Sequence, residues 1–213
     1  PDEVAGAIAS VLGVTEVVLD ATVRDNLRIA DGRGTEDRVA RIASLAAAGE
    51  KMIVYDNSRD TSVKLARQLR SRVPQLLHRV AFYNGGMTRE SRHAVERAFR
   101  TGDITVVVAT SAFGEGVNIP DVRHVALYHL PMGEVEFNQL CGRGGRDGDP
   151  ASVHLLFGPK DAHLNRMILE SAAPSRDDLA ALYLVLKDVA GEGDGTVETT
   201  NADLAERVKR RRP

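Results

Sequence analysis

The chain holds one cysteine, Cys141, in 213 residues. One cysteine excludes an internal disulfide and any CxxC-type zinc site, and it suits a reducing compartment. Apolar runs stop at about five residues, far short of the roughly 20 that a membrane helix requires. The first residues, PDEVAG, carry no charged-then-apolar targeting signal. The six histidines (78, 93, 124, 129, 154 and 163) offer no i, i+4 pair on one helix, so no metal site is expected. These absences lead us to expect a soluble, cytoplasmic protein without a membrane segment.

What is present is enough apolar material, 43% of residues, for one sizeable α/β domain with an appendage. Lys and Arg number 28 against 30 Asp and Glu, which argues against a simple polyanion binder. The total conceals an asymmetry: residues 51–100 carry 11 basic and 4 acidic side chains, while each of the other stretches is net acidic.

Short β-branched runs alternate with helical patterns, as in βαβ units around a parallel sheet. Strands are expected at 17–19, 52–55, 80–83, 105–109, 124–130 and 153–157. Helices are expected at 35–48 from a Thr35 cap, after a Ser58 cap, and at 88–99 from Thr88. Others are expected at 134–140, 161–171, 176–190 and 202–208, the last capped by Asn201. TVVVA (105–109) is the most continuous run and belongs in the sheet interior. Tyr55, Phe82, Tyr83 and Phe113 read as core or strand-end packing rather than base-stacking platforms. The texture changes after Pro174, so we expect a main domain over 1–172 and a helical extension over 173–213. Both ends look like cuts within a longer protein, the extension resembling the start of a winged-helix-like module.

Three clusters fall after predicted strands or helices, where open α/β sheets hold ligands. Asn57, Ser58 and Arg59 follow KMIVYD. Residues 110–120, TSAFGEGVNIP, form a small-residue loop whose amides and Thr110 hydroxyl can meet an anion. QLCGRGGRDG (139–148) sets Arg143 and Arg146 among four glycines. Glycines let the backbone approach closely, and guanidinium groups bind phosphate oxygens in pairs. An ordinary βα turn and a glycine turn with surface salt bridges are the plainer readings of the last two clusters.

VVVATSAFGEGVNIPDVRHVALYHLP (106–131) and QLCGRGGRDG (139–148) closely resemble motifs V and VI of superfamily 2 helicases, particularly RecQ-like DNA helicases. IVYDNSRD (53–60) resembles that family's motif IV region, and FYNGGM (82–87) its YHAGL segment. The resemblance spans roughly 15–170 and implies a RecA-like lobe, a parallel sheet sandwiched by helices. It implies that Arg146 is an arginine finger and Arg143 its companion at the ATP γ-phosphate. Gln139, Gly116 and Asn118 would face the nucleotide. Thr110, Asn57, Ser58, Arg59 and Gly85 would follow a nucleic-acid strand, Thr110 through hydroxyl and amide. Asn84 stands where the family usually has His, and Glu115 where RecQ-like proteins often have Met. The cysteine zinc module that often follows this lobe is not present in the sequence.

The chain contains no GxxxxGK[ST] loop and no DExH or DEAD string. ATP, Mg²⁺ and DNA are therefore expected ligands of a longer protein, whose first RecA-like lobe would supply the phosphate loop and the metal site. The rival reading is a helicase-like DNA-docking or regulatory module within a repair nuclease or similar assembly. An RNA helicase is a third, which Arg146-Asp147-Gly148 and the AFGEGVN loop disfavour. The isolated chain is expected to lack Mg²⁺-dependent ATPase activity, and robust phosphate release by the pure polypeptide contradicts that expectation.

Overall fold

The computed structural model describes residues 24–114, 118–172, 174–190 and 199–211, with a few positions before residue 14. The chain divides into two compact units, Pro1–Phe157 and Gly158–Pro213.

The first unit is built on six strands: β1 (Leu27–Asp31), β2 (Met52–Tyr55), β3 (Val80–Tyr83), β4 (Val106–Ala109), β5 (His124–Leu127) and β6 (Ala151–Leu155). They lie in the order β1-β6-β5-β2-β4-β3, and every pairing is parallel. β2 and β4 are buried along their whole length, as expected for interior strands covered on both faces.

Alternation along the strands divides the core in two. Met52, Val54, Val106, Val108 and Ala126 share one face with Ile42 and Ala46 of α1 (Arg38–Ala46) and Leu65 and Leu69 of α2 (Arg59–Arg72). Ile53, Tyr55, Val107, Ala109, Val125 and Leu127 pack on the other with Phe99 of α3 (Arg89–Thr101) and Leu140 of α4 (Glu134–Cys141). The result is a parallel sheet between two helical layers. Tyr83 and Phe99 both meet Phe113 edge to face, at 4.9 and 5.9 Å between centroids.

Local capping explains several boundaries. Ser58 Oγ accepts from Thr61 N at 3.4 Å, and Thr88 Oγ1 from Ser91 N at 3.3 Å, so both expected caps form. α3 ends at Gly102, whose φ of +86° suits glycine. α1 differs from expectation: Asp37, not Thr35, caps it, accepting from Ala40 N at 2.9 Å. The Asp37 carboxylate is also held by Arg72 of α2 at 2.7 Å, a tertiary partner that the local pattern does not reveal. β1 was not expected; it is an edge strand whose Ile29 is 63% exposed, so it lacks a hydrophobic signature. The strand expected at 17–19 lies outside the described residues.

The second unit comprises α5 (Pro159–Ala172), α6 (Arg176–Ala190) and α7 (Asn201–Arg211). Thr200, rather than Asn201, caps α7, its Oγ1 accepting from Asp203 N at 3.2 Å. Among the described residues no helix is long and apolar enough to cross a membrane.

At the opposite end of the sheet from the loops described below, His124 Nδ1 and His154 Nε2 lie 3.1 Å apart, and His124 Nε2 lies 3.0 Å from Glu50 Oε2. Burial, with the positive charges of His124 and Arg41, pulls His154 down to about 4. The folded state therefore refuses a proton that an unfolded histidine accepts near pH 6.5. Stability should fall as the pH drops from about 6.5 towards 4, by up to roughly 3 kcal/mol. Urea melts of wild type and His154→Gln across that range check this: the variant should show a flatter acid limb.

Candidate nucleotide and nucleic-acid interface

Because the strands are parallel, the segments that follow β2, β3, β4 and β5 leave the same edge of the sheet. Two groups of side chains form there.

The first is built on α4 and the glycine-rich segment after it. Cys141 is buried at the end of α4, and burial pushes its thiol up to about 11, so it is an inert packing residue. The chain then turns at Gly144 and Gly145. A Cβ on Gly145 would lie 2.5 Å from Asp149 O, and its φ is +52°, so only glycine fits. The carbonyl of Gly145 accepts from Asn26 Nδ2 at 2.7 Å and from the Arg24 guanidinium, which also reaches Gly142 O at 3.3 Å. Asn26 Nδ2 further donates to Asp149 O at 2.8 Å. The segment is thus fixed from β1's N-terminal side, and neither Arg24 nor Asn26 was foreseen.

Arg146 donates through Nε to Gly142 O at 3.1 Å and through Nη1 to Asn118 Oδ1 at 3.3 Å. It has no carboxylate partner among the described residues. Asp147, beside it, is taken by Arg123 instead. Arg143 lies against Gly114, where a Cβ would stand 2.7 Å from the guanidinium carbon. Gly114, at φ +113°, therefore makes room for Arg143. Desolvation, then the charges of Arg143 and Arg24, lowers the proton affinity of Arg146. Three cations at one place, with Arg146 lacking a counter-charge, form a site suited to a polyanion. Gln139 and Arg143 also line an open groove of about 550 Å³ with Ser111, Phe113, Met132 and Val135. Arg143, Arg146 and Asn118 are thus brought together, with Gln139 beside them. Gly116 and its neighbour Glu115 lie outside the described residues.

The second group surrounds the ends of β2, β3 and β4. Asn57 and Thr110 share a cavity of about 200 Å³ with Ser111, His129 and Glu136. The Thr110 amide donates to Tyr83 O at 3.2 Å, so its hydroxyl is the group left for a ligand. Ser58 spends its hydroxyl on capping α2. The Arg59 guanidinium has no hydrogen-bond or ion-pair partner among the described residues, and its Nη2 lies 3.6 Å from the position of a Cβ on Gly85. Buried Asn84 shapes this corner: its Nδ2 donates to Ser62 Oγ at 3.1 Å, and its Oδ1 accepts from Gly86 N at 3.0 Å. Nδ2 also donates to Arg59 O at 3.4 Å, so its amide ties the 84–86 turn to α2.

Asp56 lines the same cavity and was not foreseen. It is 5% exposed; Oδ1 accepts from Ser58 N at 2.8 Å, and Oδ2 is buried without a partner among the described residues. Burial pushes its carboxyl up to about 7, offset in part by the Ser58 amide. A strand-end aspartate followed by Asn-Ser gives no sequence sign of this, because its burial comes from segments far along the chain.

Tyr55 links the two groups, its hydroxyl donating to Phe113 O at 3.2 Å; burial raises its phenol well above the ordinary value. Tyr55, Tyr83 and Phe113 are core residues, at most 4% exposed.

Comparison with known proteins now adds to this geometry. Residues 36–148 match the family described as Helicase conserved C-terminal domain. The chain is 32% identical over 162 residues to a probable ATP-dependent DNA helicase, RecS, of Bacillus subtilis, covering 76% of this chain and 32% of that protein. It is 39% identical over 127 residues to the ATP-dependent DNA helicase RecQ of Haemophilus influenzae, covering 59% of this chain and 20% of that protein. The chain thus spans a third or less of these relatives' length. Among solved structures, Saccharomyces cerevisiae Dbp5 aligns with a TM-score of 0.60 at 19% identity, over 80% of this chain and 46% of that one. The Escherichia coli DEAD-box protein SrmB aligns with a TM-score of 0.55 at 25% identity, over 68% and 83%. Together with the α/β architecture and the two motif segments, the match over 36–148 shows that the chain belongs to the helicase conserved C-terminal domain family, on its RecQ-like side.

Proposed function

We propose that the chain is the second motor lobe of an ATP-dependent DNA helicase, supplying one wall of an ATP site and one stretch of a DNA track. The observation that carries this reading is the cluster of Arg24, Arg143 and Arg146, in which Arg146 has no carboxylate partner among the described residues. A solvated surface turn would pair such charges with nearby acids; here the nearby acid, Asp147, belongs to Arg123.

The residues fit one side of a triphosphate and not a metal. Arg143 and Arg146 would meet phosphate oxygens, with Asn118 orienting Arg146 and Gln139 at the groove wall. The sequence holds no GxxxxGK[ST] loop and no DExH string, so in this reading the phosphate loop and Mg²⁺ fall to a first lobe. When bound, ATP supplies the phosphoryl group whose transfer to water releases the driving free energy. This chain's part is electrostatic: guanidinium groups held in place before reaction stabilise charge that spreads over the phosphoryl oxygens.

The second role falls to the other group. Thr110 Oγ1, the Asn57 amide and the Arg59 guanidinium are suited to successive phosphates of one strand, with the bare backbone of Gly85 allowing close approach. The loop that starts at Thr110 runs to Gly114, against Arg143, so closure on nucleotide and grip on DNA share one segment. Lobe closure and reopening would then step the strand.

Arg146→Ala in a protein that unites this chain with its first lobe should lower ATP turnover by about 10³-fold or more, the usual worth of an arginine finger. Affinity for single-stranded DNA should stay within about twofold, since Arg146 sits in the other group. Steady-state ATPase and fluorescence anisotropy read both; unchanged turnover refutes the assignment. Arg59→Ala should instead weaken DNA binding and reduce by about one the slope of log affinity against log salt, with unstimulated ATPase retained. An unchanged slope removes Arg59 from the track.

A further inference from the structure

A charged carboxylate is out of place beside a DNA phosphate, yet Asp56 forms part of the wall that holds Asn57 and Thr110. Its surroundings do little to stabilise its charge. Its amide is spent on Ala109 O at 2.9 Å, one oxygen takes the Ser58 amide, and the other is beyond reach of solvent and has no partner. The titratable and charged groups around it are few. His129 follows β5 and Glu136 lies on α4, both lining the cavity; Thr110 and Ser111 after β4 carry no charge. Arg59 and Asp60 follow on Asp56's own turn. Glu136 is engaged, its Oε2 accepting from Met132 N at 2.7 Å. Among the described residues, no carboxylate other than Glu136 and no arginine or lysine lines the cavity with Asp56.

The cavity's chemistry fits a phosphate better than a base. It offers a threonine hydroxyl, a serine hydroxyl and an asparagine amide, while Tyr55, its one phenol, is 2% exposed and committed to Phe113 O. A base would need an exposed ring for stacking.

From this juxtaposition we infer that DNA binding at the cavity is linked to uptake of one proton by Asp56: the neutral carboxyl admits a phosphate to the wall, and the carboxylate repels it. The proton comes from solvent and rests on the carboxyl, and no covalent bond changes. The inference depends on the proposed DNA track through Asn57 and Thr110. Burial already holds the carboxyl near half-protonation at neutral pH, so the approach of an anion need only complete the change.

The test is the affinity of the 213-residue chain for fluorescein-labelled oligothymidylate, read by anisotropy at fixed ionic strength from about pH 6 to about pH 8. If only the neutral form binds, affinity falls about tenfold across that range, following the neutral fraction of a group near 7. Asp56→Asn, neutral at every pH, should bind with a flat profile and about tenfold more tightly than wild type at pH 8. His129→Gln should keep the wild-type slope, which separates Asp56 from a histidine that would shift affinity in the same direction. Should Asp56→Asn fail to fold, calorimetry of the wild type in buffers of different ionisation enthalpy reads the same quantity, with close to one proton taken up per DNA bound near pH 8. A wild-type affinity independent of pH, a slope surviving in Asp56→Asn, or no proton uptake overturns the inference while leaving the DNA track standing. Absence of DNA binding at every pH overturns the track and this inference with it.

Discussion

The constraint on which the rest depends is the common direction of the strands. Tyr55 stands opposite Ala109 and Leu127, Tyr83 opposite Ala109, and Leu127 opposite Leu155. The next residues along the chain, Asp56, Asn84, Thr110 and Tyr128, therefore emerge in one row. Three of their amides are held by the neighbouring strand, one rung beyond the last pair: Asp56 N donates to Ala109 O, Thr110 N to Tyr83 O and Tyr128 N to Tyr55 O. The backbone at this edge is thereby rigid, and the side chains are what remain to vary.

On that rigid edge the segment from Thr110 to Gly114 joins the two halves of the site. At its start, Thr110 borders the cavity beside Asn57. At its end, Phe113 is buried against Tyr83 and Phe99, and Gly114 receives the Arg143 guanidinium. A shift of Arg143 towards a phosphate would vacate space that only a glycine leaves, and Phe113 would keep the segment from following freely. Tyr55, whose hydroxyl holds Phe113 O, ties this anchor to β2, the strand that also presents Asp56 and Asn57. In the proposed reading, coupling between nucleotide and nucleic acid would be a matter of one five-residue segment pinned in the middle of its neighbours, rather than of a long relay.

Much of this could be read in the sequence, and the exceptions have a common cause. Ser58 and Thr88 could be recognised as caps because the bond they make is local, three residues away. Asp37 makes the same local bond, to Ala40 N, and what the local pattern does not reveal is Arg72, which holds that carboxylate from another helix. Arg143 and Arg146 stood out in the sequence because paired arginines among glycines make a poor helix, and the structure brings the two to one place; their meeting with phosphate belongs to the proposed function. Arg24 and Asn26, which hold that segment in place, lie about 120 residues upstream, just before an edge strand with an exposed isoleucine. The His124–His154 pair spans two adjacent strands at a separation of 30 residues, beyond any helical spacing rule. Asp56 differs in kind: its position was obvious and its burial was not.

Charge makes the same point more sharply. The basic excess of residues 51–100 looks like a DNA-binding surface, yet four of its eleven cations serve the fold. Arg70 donates to Val80 O, Arg79 to Gly102 O, Lys51 to Arg100 O and Asp121, and Arg72 to Asp37. Arg59, at the strand end, has no such partner among the described residues. The reverse holds for residues 101–150, net acidic as a stretch, which nevertheless contribute Arg143 and Arg146 to a site short of counter-charge. In the proposed reading, what an anion meets at this edge is set by how the fold spends its charges: among the described residues Arg59 has no side-chain partner, Arg146 has no carboxylate partner, and one oxygen of Asp56 has none. A segment's formal charge counts the paired and the unpaired alike, and so it predicts neither the place nor the strength of binding.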